Sequence, residues 1–274
     1  MTTTTLRVRN APGFRVNADR LLPAALAALS LDEVARLALP AGNETCSVGD
    51  IFDVSRAESA NAAALVMEGD ARWLDRLGAK MTQGCIDVHG AAGDYAGFQM
   101  AGGALRIDGD AGHFTGCQMQ GGRLTLSGNA GDFTAGALPG DMEGMTGGTL
   151  TIHGNTGARL GDRMRRGLVL VGGNAGDCAA SRLVAGTIGI AGTTGANLGY
   201  GMRRGTLLLA RTPARIPPTF AEGGRGFDVF WRLLTRSLAG ELTLFANLRA
   251  DALPRRYAGD LAVDGRGEVL IVGS

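Results

Sequence analysis

Asp94, His113 and Asp132 stand at intervals of nineteen, each directly after a glycine. If that interval brings them into one column, an imidazole lies between two carboxylates and could relay a proton. The plainer alternative is a solvated ladder of polar side chains on a surface corner. A second constellation is basic. The tetrapeptide MRRG occurs twice and supplies Arg165, Arg166, Arg203 and Arg204, with Arg159, Arg163 and Arg182 near in sequence. A row of guanidinium groups suits an extended polyanion or an acidic partner surface. Its plain alternative is a charged face balanced by Asp and Glu. The remaining metal-ligating and nucleophilic types do not converge. His89 and His153 occupy equivalent positions three units apart, about 14 Å at the spacing of paired strands and too far for one ion. Cys46, Cys85, Cys117 and Cys178 form no CxxC pair and read as free thiols. No metal site and no Ser/His/Asp set is expected.

A repeat positions these residues. Methionines at 81, 100, 119, 145, 164 and 202, with Leu183 in the remaining slot, advance in steps of 19, 19, 26, 19, 19 and 19. A glycine follows each anchor by three residues, from Gly84 and Gly103 to Gly205. Then come two apolar residues at alternate positions, such as Ile86/Val88, Leu105/Ile107 and Leu124/Leu126, and further glycines such as Gly109 and Gly112. Seven copies without an intervening helical run exclude a single phosphate-cradling loop. Alternation between glycine corners means short strands, and a period near 20 residues means a solenoid. The expected fold is all-β: a right-handed parallel β-helix of about seven to eight coils. Residues nineteen apart should stack one strand spacing apart, about 4.8 Å. The MRRG pairs, two coils apart, should then lie about 10 Å from each other. The glycines belong where φ is positive or where stacked backbones leave no room for a Cβ. The 26-residue step puts a bulging loop within 137–144. Asn129, Asn155 and Asn174 form one more column, read as a structural ladder at a turn.

A solenoid needs its ends covered. The expected division is an N-terminal cap over 1–60, the β-helix over 61–211 and a C-terminal cap over 212–274. In the first, TLRVR reads as a strand, and Ser30 with Glu33 as a capping box opening a helix over 31–39. In the last, Phe227, Phe230, Trp231, Leu234 and Leu238 form one helical stripe, expected to dock on the last coil or, alternatively, on a partner, and GEVLIVG a terminal strand. Residues 62–80 read as an irregular first coil. The net charge of +1 gives no global field for nucleic acid or an acidic membrane. No apolar run approaches the roughly 20 residues of a membrane helix. The run LLPAALAALSL is broken by Pro23 and preceded by Asp19, which argues against a secretory signal. A cytoplasmic protein is expected.

The unit M-x-x-G-x-[LIV]-x-[LIV]-x-G-[DN]-[AT]-G, led by RLGAKMTQGCIDVHGAAGDYAG over 76–97, resembles the C subunit of formylmethanofuran dehydrogenase. The segments AGNETCSVGDIFDV (41–54) and EGDARWLDRLGAKM (68–81) carry the same resemblance, which covers roughly residues 40–211. The glycine pattern alone also resembles the C-terminal β-helical domain of glutamate synthase. The family has two branches: molybdenum or tungsten formylmethanofuran dehydrogenases of methanogens, and a bacterial formyltransferase/hydrolase complex. The bacterial complex moves a formyl group from tetrahydromethanopterin to a methanofuran-like carrier and releases formate. Arg is abundant here while Lys80 is the lone lysine, a bias that fits the bacterial branch. The resemblance implies a scaffold subunit without its own active site or bound cofactor. The implied partners are a formyltransferase subunit, a metal-dependent hydrolase subunit and a further dehydrogenase-like subunit. It also makes Arg165, Arg166, Arg203 and Arg204 a candidate track for a polyglutamate tail on the carrier. The competing readings are a polysaccharide-acting β-helix and a free-standing glutamate synthase-type domain.

Overall fold

The computed structural model describes residues 2–58, 63–241 and 243–273. Among these, thirteen strands form one large, mostly parallel sheet. In chain order they are β1 (Thr2–Val8), β2 (Phe52–Glu58), β3 (Ala64–Glu68), β4 (Cys85–His89), β5 (Ala104–Ile107), β6 (Arg123–Leu126) and β7 (Thr149–Ile152). Then come β8 (Leu168–Val171), β9 (Thr187–Ile190), β10 (Thr206–Leu209), β11 (Ala221–Glu222), β12 (Arg255–Gly259) and β13 (Gly267–Ile271). The spatial order is β11-β12-β13-β10-β9-β8-β7-β6-β5-β4-β3-β1-β2. From β3 to β10 each strand pairs in parallel with the next one along the chain, so the sheet grows by one rung per repeat. Ile107 lies opposite both Val88 and Leu126, which is the nineteen-residue register.

A second row of parallel bridges runs through Ala111, Ala130, Thr156, Ala175 and Thr194. A third row of backbone bonds links the corners: Tyr95 N–H to His113 O, Phe114 N–H to Asp132 O and Arg159 N–H to Asp177 O, at 2.7–2.8 Å. Each repeat therefore bonds to the next on several sides, and the chain turns once per period. The inward residues are the expected ones. Met81, Met100, Met119, Met145, Met164, Leu183 and Met202 are all buried, as are the alternating strand residues such as Leu105 and Ile107. The glycines divide into two kinds. Gly84, Gly103, Gly122, Gly148, Gly167, Gly186 and Gly205 adopt positive φ. At Gly109 a Cβ would instead sit 2.8 Å from the carbonyl of Gly90 in the preceding coil, so contact excludes it there.

The positive-φ turns are not all glycine. Tyr95, Phe114, Phe133 and Arg159 hold φ between 58° and 61°, a conformation costing roughly 1–2 kcal/mol for a non-glycine residue. Each has its N–H bonded to a carbonyl of the following coil, and ring stacking offsets more of that cost.

The flanking segments join the same sheet. β1 runs parallel to β3 and antiparallel to β2. The capping box forms: Ser30 Oγ accepts the Glu33 N–H and Glu33 Oε2 accepts the Ser30 N–H at 2.7 Å. The helix it opens is only Leu31–Ala35, because Ala38–Ala41 pairs as a strand with Glu44–Ser47. GEVLIVG contributes β13, which extends the sheet beyond β10. The C-terminal helix Asp228–Leu238 meets the last coil at Leu208 of β10 and spreads beyond it. It packs on the outer face of the sheet, where Phe227, Trp231, Leu234, Leu238 and Phe245 cluster with Leu170, Leu208 and Leu270. The outward positions explain this: they are Asp87, Arg106 and Thr125 in β4–β6 but Leu170 and Leu208 in β8 and β10. Arg123 reaches across to Glu241 with two bonds of 2.7 and 3.0 Å, tying the segment to β6. Phe230 points away from this cluster and is 39% exposed.

Candidate functional site

The two MRRG segments occupy one corner of the coil. The residues after the inward methionine are small or neutral in the earlier units and become Arg165/Arg166 and Arg203/Arg204 later. Their backbones are fixed: the N–H groups of Arg165 and Arg203 donate to Met145 O and Leu183 O, each at 2.8 Å. The glycine that closes each corner is required. At Gly167, with φ of 102°, a Cβ would lie 2.8 Å from Met145 Cε and 2.9 Å from Gly148 O. The backbone is thus held by the stack while the guanidinium groups extend into solvent.

Between the pairs the intervening unit carries Val184 and Ala185, which leaves a gap. The result is a cleft of about 480 Å³ lined by Thr146, Arg165, Arg166, Val184, Ala185, Arg203 and Arg204. The four predicted arginines therefore line one cavity. Arg165 is paired with Glu143 at 2.9 Å, supplied by the bulging loop. Among the described residues, no acid pairs with Arg166, Arg203 or Arg204. Arg182 is occupied, with Nε and Nη2 at 3.0 and 2.8 Å from the buried Asp162 carboxylate. Arg159 lies apart, over the Phe133 ring. Three of the four cleft arginines present cations without a paired acid, an arrangement that attracts carboxylates or phosphates.

Asp94, His113 and Asp132 do stack one unit apart, but their atoms are used on the backbone. Asp94 N–H donates to Asp75 Oδ1 at 2.8 Å, His113 N–H to Asp94 Oδ1 at 2.8 Å, and Asp132 N–H to His113 Nδ1 at 3.0 Å. The Ala158 N–H then donates to Asp132 Oδ1 at 2.7 Å. A ring nitrogen that accepts an N–H carries no proton, so this geometry fixes the imidazole as the Nε2–H tautomer. The nearer Asp132 oxygen stands 3.8 Å from Nδ1. The column works as a side-chain-to-backbone ladder between coils. A parallel ladder joins Asp110, Asn129, Asn155, Asn174 and Thr193. His89 pairs with Asp108 at 2.8 Å, and among the described residues no group of three or more His, Cys, Asp or Glu side chains could hold a metal ion.

Two features escaped the sequence reading. Tyr95, Phe114 and Phe133 form a stacked ladder, with centroids 4.8 and 5.0 Å apart and planes within 11°. Arg76 covers the Tyr95 end at 5.0 Å and Arg159 the Phe133 end at 5.6 Å. The nineteen-residue spacing signalled this column, one position after the Asp/His ladder. The other feature carried no periodic signal: Arg15 bridges Asp75 and Asp94 at 3.0 and 2.7 Å, strapping the N-terminal segment to two coils. Beneath the aromatic ladder Cys117 is fully buried, and burial, with a smaller contribution from Asp141, pushes its thiol up to about 12.

Comparison with known proteins bears on this architecture. The GXGXG motif family matches residues 36–218. A chain of the formyltransferase/hydrolase complex (FhcABCD) from Methylorubrum extorquens, solved in complex with methylofuran, superposes with a TM-score of 0.90 at 41% identity. The alignment covers 98% of this chain and 100% of that one. The C subunit of the Fhc complex from Methylorubrum extorquens is 43% identical over 89 residues, 32% of each chain. The chain belongs to the family of formylmethanofuran dehydrogenase C subunits. The C subunit of tungsten-containing formylmethanofuran dehydrogenase 2 from Methanococcus maripaludis is 39% identical over 80 residues, 29% of each chain. These sequence matches span less than a third of the length of the curated C subunits, whereas the structural match runs end to end. Among the described residues of this family member, no helix is long and apolar enough to cross a membrane.

Proposed function

We propose that this chain is a non-catalytic scaffold subunit of a cytoplasmic formyltransferase/hydrolase complex, which moves a formyl group from tetrahydromethanopterin to a methanofuran-like carrier and releases formate. The carrying observation is the 41% identity, over 98% of the chain, to a chain solved inside such a complex. The geometry supports the structural role. The polar columns are spent on holding coil to coil, and the side chains nearest to an acid–base set serve backbone N–H groups. The partners are then a formyltransferase subunit, a metal-dependent hydrolase subunit and a dehydrogenase-like subunit, and chemistry at the pterin and the carrier belongs to them. The same reading takes the chain as a right-handed β-helix of about seven to eight coils over 61–211, with caps at 1–60 and 212–274. Arg165, Arg166, Arg203 and Arg204 form the cleft for a polyglutamate tail on the carrier or for an acidic partner. A second reading, the C subunit of a molybdenum or tungsten formylmethanofuran dehydrogenase, is favoured by the 39% identity to the methanococcal protein. The near absence of lysine supports the first.

Native capture of the tagged chain from its source cell, with mass spectrometry of the co-purifying proteins, tests the assignment. A formyltransferase and a metal-hydrolase partner are the expected result. A molybdopterin or 4Fe–4S partner overturns the bacterial reading. For the cleft, replacing the four arginines with serine should weaken binding of poly-glutamate, with a flatter salt dependence. Unchanged affinity across a salt series removes that role.

A further inference from the structure

Around the corner from the four arginines lies a second cleft, of about 630 Å³, whose walls include Met142, Arg163, Tyr200, Arg203 and Val263. It shares Arg165, Val184 and Arg203 with the first cleft, so the two are continuous. Their chemistry differs. Met142 is 70% exposed, Tyr200 65% and Val263 42%, and Leu261 in the same turn as Val263 is 57% exposed. Large apolar side chains held in solvent beside cations have the composition of a protein interface, in which Tyr, Met and Arg are enriched.

The bulging loop shows one contact such a surface makes, a carboxylate on an arginine. Its Asp141-Met142-Glu143 triplet is acidic, apolar, acidic. Arg163 donates to the Asp141 carbonyl and approaches Met142 Sδ at 3.1 Å, while Arg165 takes the Glu143 carboxylate at 2.9 Å. The chain thus seats the Glu143 carboxylate on one wall, while the Asp141 carboxylate accepts from Gln118 Nε2 at 2.7 Å, and the opposite wall is left open. Arg203 has no acidic partner among the described residues. Asp260 on that wall forms no ion pair with it; its oxygens accept the N–H groups of Gly201 and Ala262 at 2.9 and 3.0 Å. Tyr200 and Val263 stand uncovered beside it.

We infer that this cleft docks an acidic segment of a partner subunit, one that carries an aromatic or large apolar side chain between carboxylates. The apolar side chain lies on Tyr200 and Val263, and the carboxylates meet Arg203 and, in the adjoining cleft, Arg166 and Arg204. The inference rests on the chain being a subunit of a complex, and adds to that reading a recognition rule and a place.

Two arms test it on the full chain. The first measures fluorescence polarisation of labelled, end-blocked pentapeptides: Glu-Glu-Phe-Glu-Glu, the same with Ser for Phe, and the same with Gln for every Glu. The Phe peptide should bind about tenfold tighter than either control. Tyr200→Ser should abolish the advantage over the Ser peptide while leaving the Ser peptide's affinity unchanged. Equal binding of the Phe and Ser peptides means a polyanion site only and overturns the inference. So does an advantage that survives Tyr200→Ser, or no binding at all. The second arm repeats native capture with Tyr200→Ser/Val263→Ser, both exposed positions, after a thermal melt shows the fold retained. Partner recovery should fall several-fold. Undiminished recovery overturns the inference and leaves the proposed function standing. A wild-type chain that captures no partner overturns the proposed function, and the peptide arm still decides the cleft.

Discussion

Gly189 offers a stringent test of how the C-terminal segment is held. It faces outward in β9, and a Cβ there would lie 2.8 Å from Leu170 Cδ2 and 3.1 Å from Phe245 Cζ. On an open strand, replacing glycine raises stability by about 0.5–1 kcal/mol, since glycine loses the most backbone freedom on folding. Here the sign should reverse. Phe245 is fully buried on this spot, and burying such a ring contributes about 1.5–3 kcal/mol. Gly189→Leu expels the ring or overpacks the seat, and the net loss is about 2 kcal/mol. At about 2–4 °C per kcal/mol for a chain of this size, the melting temperature falls by roughly 4–8 °C. Gly189→Ala, which needs its neighbours to yield only slightly, should stay near wild type. Differential scanning calorimetry gives the shift, and hydrogen exchange over Asp228–Leu238 should show that helix losing protection first. A melting temperature equal to or above wild type, with unchanged exchange in that helix, would refute the packing argument.

The ladders and the buried thiol can be perturbed separately. His113→Asn keeps an acceptor for the Asp132 N–H and should melt within about 1–2 °C of wild type, whereas His113→Ala strands that donor and should cost about 1 kcal/mol; identical melting of the two variants would remove the ladder role. Cys117 is held up to about 12 by burial, against 9.0 for the ordinary thiol. Between those values the unfolded chain has lost the proton and the folded chain keeps it, so stability falls as pH rises from 9 toward 12. Urea melts of wild type and Cys117→Ala across that window should show the wild type losing stability faster, and parallel curves would contradict the assignment.

Much of this was legible because a parallel stack with a constant coil length turns sequence distance into spatial distance. Ile107 beneath Leu126, the polar column through Asn129 and Asn155, and the alignment of the MRRG pairs all come from one translation repeated along the chain. Chemistry at the level of atoms did not. Register placed His113 between Asp94 and Asp132, but backbone N–H groups took the acceptor atoms. Among the arginines near the corner, Arg182 is consumed by Asp162 while Arg203 is left open, and composition alone separates them in no way. The helix Asp228–Leu238 was visible as an apolar stripe, yet its seat was set by outward leucines in β8, β10 and β13, three strands contributed by distant parts of the chain.

By itself, the sequence determined the period, the inward core and the residues that share a column, because each is a local pattern repeated until it is unmistakable. Only the tertiary structure decided which cations remain unpaired, where the terminal segments lie, and that the arginine cleft opens into an apolar one. Those depend on contacts between the repeats and the non-repeating loop and ends, such as Arg15 with Asp94 and Arg123 with Glu241, where no periodicity relates one partner's position to the other's.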